Sequence, residues 1–140
     1  MKLLLIFSIS TFLVLISKTN ADRFTEFPDL ALRDANQIQN GINEAIKAHD
    51  REKITSYFSH DLKYYDCSGN HAFLENYIDI LYEWYPNGPS TEIRNPQHDG
   101  ILGLTYDMTE KMPNAVYKTR THAKWLEGKW VITNRTAIDC

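Results

Sequence analysis

The chain has 140 residues, with 15 Lys and Arg against 18 Asp and Glu, a net charge of −3 at pH 7. That length is enough for one domain with one core. The mild acidity excludes the basic footprint of a nucleic-acid binder or of a protein held to an anionic membrane.

Met1-Lys2 is followed by 14 residues, Leu3 to Ile16, that are all apolar, Ser or Thr, and then by Ser17-Lys18-Thr19-Asn20-Ala21. A charged start, an apolar run and a small residue at its polar end form the pattern of a secretory signal peptide. The run falls short of the roughly 20 apolar residues that a membrane-spanning helix needs. Residues 1–21 are therefore read as a signal peptide and 22–140 as the mature domain, secreted and free of the membrane. Removing Lys2 and Lys18 leaves 13 basic residues against 18 acids, a net charge of −5.

From Asp29, apolar residues fall at Leu30, Ala35, Ile38, Ile42, Ala45 and Ile46, one stripe on one helical face. Asp50 breaks the pattern and is placed to cap a short second helix carrying Ile54, Tyr57 and Phe58. Leu62 to Cys67 alternates as a strand, and Ser68-Gly69-Asn70 is turn chemistry. A third helix is expected to bury Phe73, Leu74, Tyr77, Ile78, Leu81 and Tyr85 before Pro86-Asn87-Gly88-Pro89 stops it.

Three strands complete the chain: Gly100 to Met108, Asn114 to Leu126 and Lys129 to Ile138. Glu127-Gly128 fits a two-residue hairpin turn that sets Leu126 opposite Lys129. Carried along the hairpin without interruption, that register fixes which residues share a face. One face pairs Trp125 with Trp130, Ala123 with Ile132, Thr121 with Asn134, Thr119 with Thr136 and Tyr117 with Ile138. The other carries Lys118, Arg120, His122, Lys124, Val131, Thr133 and Arg135, and reads as a basic outer surface. Helices then cover the first face in an α+β arrangement, with the tryptophan-bearing side shielded beneath them.

Cys67 and Cys140 are the only cysteines. In an oxidising compartment two cysteines in one small domain are expected to pair with each other, an intermolecular bond being the alternative. Closing so long a loop stabilises by about 4 kcal/mol in the chain-entropy account. No histidine or cysteine lies at zinc-ligand spacing, and no phosphate-cradling loop, nucleophile elbow or dinucleotide fingerprint occurs, so no metal or cofactor is expected.

"AIKAHDREKITSYFSHDLKYYDCSG" (Ala45 to Gly69) and "THAKWLEGKWVITNRTAI" (Thr121 to Ile138) together resemble the nuclear transport factor 2-like superfamily, the cone-shaped fold of ketosteroid isomerases and polyketide cyclases. The first resembles two helices leading into a strand with a pocket acid, and the second a closing hairpin. The resemblance implies three N-terminal helices packed in the concave face of a strongly curved antiparallel sheet. It also places Asp66 at the position of the isomerases' proton-transfer base. In those enzymes a helix tyrosine and a protonated aspartate hold the developing oxyanion, as such chemistry requires. Here Ile42 and Thr121 stand at the matching positions, so steroid isomerisation is not expected. The other reading of Asp66 is a strand-end carboxylate satisfied by local hydrogen bonds.

The leading expectation is a secreted, non-catalytic domain binding a small apolar molecule in the cone. Tyr64, Tyr77, Thr119, Thr121, Asn134 and Trp125 would line the cavity, a largely apolar wall with a few polar groups. The alternatives are an isomerase- or cyclase-type enzyme using Asp66, and a protein-interaction module using the basic outer face toward an acidic partner. In this superfamily the outer sheet face often forms homodimers, a role its positive charge would make awkward. Asn134-Arg135-Thr136 is a glycosylation sequon, but the uninterrupted register turns Asn134 inward, and it is expected to stay unmodified.

Overall fold

The computed structural model describes residues 28–112 and 115–140, and the leader lies outside the described residues, as does Asn114. Among them no helix is long and apolar enough to cross a membrane.

The apolar stripe forms α1 (Pro28–Lys47). A proline costs nothing at the first helical position, where its missing N–H would have had no partner. Ala35, Ile38, Ile42, Ala45 and Ile46 are buried on one face, joined by Ala31. Asp50 accepts from the Lys53 amide at 2.9 Å and caps α2 (Arg51–Thr55), whose buried residue is Ile54. This helix is shorter than its sequence pattern suggests. Phe58 already opens β1 (Phe58–Tyr65), where Phe58, Leu62 and Tyr64 point inward at even spacing. The short β2 (His71–Ala72) folds back on the end of β1. α3 (Leu74–Trp84) buries Leu74, Tyr77, Ile78 and Leu81, and Tyr85 follows. Phe73, expected on that face, is instead the N-cap residue and stands 67% exposed.

Four long strands complete a six-stranded sheet in the order β2-β1-β6-β5-β4-β3: β3 (Ser90–His98), β4 (Gly103–Met112), β5 (Ala115–Leu126) and β6 (Lys129–Ile138). The sheet is mixed, which corrects the antiparallel expectation: β6 runs parallel to β1. Its last four strands follow one another in the chain and pair antiparallel, but β1 is separated from them by α3 and so is free to lie alongside β6 in the same direction. β3 has no counterpart in the sequence reading. It is an edge strand, STEIRNPQH, with no apolar alternation. It is interrupted between Arg94 and Gln97, where Asn95 has φ 50° and Pro96 removes a donor. Edges are where such interruptions are tolerated.

The hairpin turn forms as expected, with Glu127 and Gly128 both at positive φ and Leu126 opposite Lys129. Trp125 pairs with Trp130 and Ala123 with Ile132. Then the register slips: His122 pairs with Asn134, leaving Thr133 as an extra residue on β6. Because side chains alternate every residue, one inserted residue exchanges the faces of everything beyond it. Thr121 therefore pairs with Arg135 and Thr119 with Ala137. Arg135 is turned into the core, and Asn134 and Thr136 are turned out of it, the reverse of the unbroken register.

α1 packs mainly on β3, and α3 on β1. The core between helices and sheet joins Ile38, Ile42 and Ile46 of α1 to Tyr77 and Ile78 of α3, to Tyr106 and Met108 of β4 and to Ile132 of β6. Cys67 and Cys140 form the internal disulfide, Cα to Cα 5.6 Å, tying the last residue to the turn after β1.

Candidate functional site

Arg135 occupies the middle of the interior and is 1% exposed. Its Nε donates to Thr121 Oγ1 at 3.1 Å and its Nη1 to the Tyr77 hydroxyl at 2.6 Å, while Nη2 points at Met108 Sδ at 4.0 Å. The guanidinium also lies over the rings of Phe58 (5.8 Å) and Tyr77 (5.9 Å), a cation–π arrangement. Tyr64 stacks on Tyr77 with ring centres 4.6 Å apart. Gln39 of α1 donates to the Tyr106 hydroxyl at 2.7 Å.

Glu110 sits in the same interior and accepts from the Tyr85 hydroxyl at 2.9 Å. Burial raises its carboxyl above the ordinary range, against the opposing pull of Arg135 and the Tyr85 hydrogen bond. Burial also pushes the Tyr77 phenol up, with the Arg135 charge working against it. For Arg135 burial disfavours the charge, but the field of Tyr77, Tyr106 and Glu110 outweighs it, so the guanidinium stays charged.

These side chains occupy the interior where the sequence placed a pocket wall. Tyr64, Tyr77 and Thr121 do converge in the interior around Arg135, and Thr119 is buried two residues before Thr121 on β5. The Thr119 hydroxyl is buried there without a hydrogen-bond partner. Asn134 is not among them. The bulge puts it on the outer face, level with His122 and Lys63.

Asp66 lies at the surface beyond the end of β1. Its Oδ1 accepts from the amides of Ser68 (2.8 Å) and Asn70 (2.9 Å), and Oδ2 from the Asn70 side chain (3.1 Å). These bonds, the Asn70 side chain first, lower its pKa. A general base needs its pKa moved toward neutrality and a free lone pair facing substrate. The carboxylate of Asp66 has the opposite shift, and its oxygens build the turn that contains Cys67.

Open space lies at the tip of the hairpin. A cleft of about 260 Å3 is bordered by Gln37, Ile38, Ser56, Tyr57, Trp125, Gly128, Lys129 and Trp130. A second, of about 380 Å3, is bordered by Leu30, Arg33, Asp34, Gln37, His98, Ile101, Leu102, Trp125 and Trp130. They share Gln37 and the two tryptophans, whose rings meet edge to face at 5.4 Å. Of the six residues expected to line a pocket, Trp125 alone borders these clefts. It is 40% exposed rather than shielded. In the second cleft His98 stacks on Trp130 at 5.8 Å, its Nε2 lies 3.2 Å from Asp34 Oδ2, and Arg33 reaches Asp34 Oδ1 at 3.2 Å. Gly41 shapes the first cleft: a Cβ there would run into the Tyr57 ring and hydroxyl, so its absence lets Tyr57 lie against α1.

The outer sheet face is less basic than expected. Arg120 forms two hydrogen bonds to Asp107 (2.8 and 3.1 Å), Lys118 pairs with Asp139 (2.7 Å), and Arg135 is on the opposite side. Thr105 bridges Asp99 and His122 on this face. Among the described residues no group of three or more His, Cys, Asp or Glu is gathered closely enough to hold a metal ion.

No protein-family model matches the chain, and no curated protein matches it. Solved structures do. A protein of unknown function from Silicibacter pomeroyi, described as NTF-2 like, is 12% identical over 76% of this chain and 92% of its own, with a TM-score of 0.63. Another, from Shewanella oneidensis, is 14% identical over 76% of this chain and 97% of its own, with a TM-score of 0.60. A de novo designed protein with a curved β-sheet is 12% identical over 74% and 97%, with a TM-score of 0.59. The chain therefore shares its fold with these NTF2-like proteins. At such identities the likeness is one of fold alone, and it carries no activity with it.

Proposed function

We propose that the protein is a secreted, non-catalytic NTF2-like domain that binds a small apolar molecule at the mouth of the cone, in the paired clefts around Trp125 and Trp130. The observation that carries this reading is the half-open tryptophan pair. Two large aromatic faces are held on a two-residue turn, one of them 40% exposed, with about 260 and 380 Å3 of space on either side. Small-molecule sites are commonly of this order and this character, mostly apolar with a few placed polar groups. Gln37, Ser56 and Lys129 in one cleft, and Asp34 with His98 in the other, supply those groups. The local engagement of Asp66 favours binding over catalysis. The N-terminal leader pattern favours secretion, and the Cys67–Cys140 disulfide is compatible with it.

The test is native mass spectrometry of the protein purified from its secretory host, together with a fluorescence titration using the apolar probe 1-anilinonaphthalene-8-sulfonate. Saturable probe binding that Trp125→Ala abolishes, and Asp66→Asn leaves unchanged, is expected. Absence of both a retained molecule and saturable binding would sink the proposal. Loss of binding in a folded Asp66→Asn variant would move the site to the other end of β1.

A further inference from the structure

We infer that Asn134 is an N-glycosylation site whose sugar stands on the outer face of the sheet. Asn134-Arg135-Thr136 is the chain's only Asn-x-Ser/Thr sequon. An uninterrupted hairpin register would aim its asparagine into the core, where no sugar could be accommodated. The bulge at Thr133 reverses this, setting Asn134 beside His122 of β5 and Lys63 of β1, both exposed.

The local hydrogen bonding fits a modified residue. Thr136 Oγ1 donates to Asn134 Oδ1 at 3.0 Å, which orients the carboxamide. Nδ2, the atom that carries the sugar, donates to no described residue, so a glycan there breaks no hydrogen bond among the described residues. The partner that the sequon keeps inside is the middle residue, Arg135, and it points away from the modified face. One strand segment thus carries a core cation and an outward acceptor without conflict. The oligosaccharide is transferred from its lipid carrier to Nδ2, displacing one amide hydrogen as a proton and leaving the lipid pyrophosphate.

The inference rests on the secretory part of the proposed function, because the transferase lies in that pathway. The experiment expresses the full chain in a eukaryotic secretory host and compares the mass of protein from the medium before and after peptide-N-glycosidase. The expected result is a loss of one N-glycan, with Asp appearing at position 134. The shift should be abolished separately by Asn134→Gln and Thr136→Ala and retained in Thr136→Ser. Glycosylated protein should also keep native near-ultraviolet dichroism with both cysteines oxidised. Secreted protein of unmodified mass overturns this inference and leaves ligand binding standing. Unmodified protein retained in the cell overturns both this inference and the reading of secretion.

Discussion

Arg135 Nη1 and the Tyr77 hydroxyl lie 2.6 Å apart, a hydrogen bond that joins the last strand to the last helix through the interior. Hydrogen bonds to charged groups are worth about 1.5–3 kcal/mol, because an unpaired buried charge keeps its full desolvation penalty. Tyr77→Phe is expected to destabilise the protein by about that amount, read from the urea midpoint. Adding Arg135→Met to that variant should recover part of the loss by removing the stranded charge. An unchanged midpoint in Tyr77→Phe would mean the bond contributes no net stability.

Glu110 makes stability depend on pH. Its folded-state pKa is raised by burial, so the folded protein holds this proton more tightly than the unfolded chain. Its contribution is fully present below the ordinary carboxyl value and is lost as pH rises through the raised value. Wild-type stability should accordingly fall across that window. Glu110→Gln keeps an oxygen for the Tyr85 hydroxyl and should flatten the fall. Thermal midpoints of the two proteins from pH 4 upward check this, and parallel curves would contradict it.

Gly41→Ala separates helix stability from the shape of the cleft. Alanine in place of a mid-helix glycine favours α1 by about 0.8–1 kcal/mol. The new methyl group, however, must push Tyr57 off the helix and toward the first cleft. The expected outcome is weaker probe binding in a protein that remains folded, measured by the same fluorescence titration. Unaltered affinity would place the ligand in the second cleft.

Deleting Thr133 tests the bulge itself. Without the extra residue the unbroken register returns, drawing Asn134 into the core and driving Arg135 out of it. The variant should lose the dispersed amide spectrum of the native fold. A well-dispersed spectrum with Arg135 exposed would show that the two registers are close in energy.

Much of the architecture was legible in local chemistry. The stripe from Ala35 to Ile46, the Asp50 cap, the Glu127-Gly128 turn and the disulfide each rest on short-range rules or on compartment, and each has its counterpart in the structure. The edge strand β3 did not announce itself, since a strand with one side open to water needs no apolar alternation. Among the interior polar groups, Glu110 could have been found by extending the alternation of Tyr106 and Met108 two residues further. Arg135 could not, because the bulge that admits it leaves no mark in "VITNRT".

The sequence by itself determined which segments are helices, where the hairpin turns and that its first rungs bring Trp125 to Trp130. These follow from periodicity and turn conformation, which act over a few residues. Only the tertiary structure decided which way β6 faces beyond Thr133, and with it whether the interior holds the Asn134 amide or the Arg135 guanidinium. That choice depends on what the helices and neighbouring strands offer a buried cation: the hydroxyls of Tyr77 and Thr121, the ring of Phe58 and the field of Glu110. These groups are scattered along the chain from Phe58 to Thr121, and only folding brings them around one side chain.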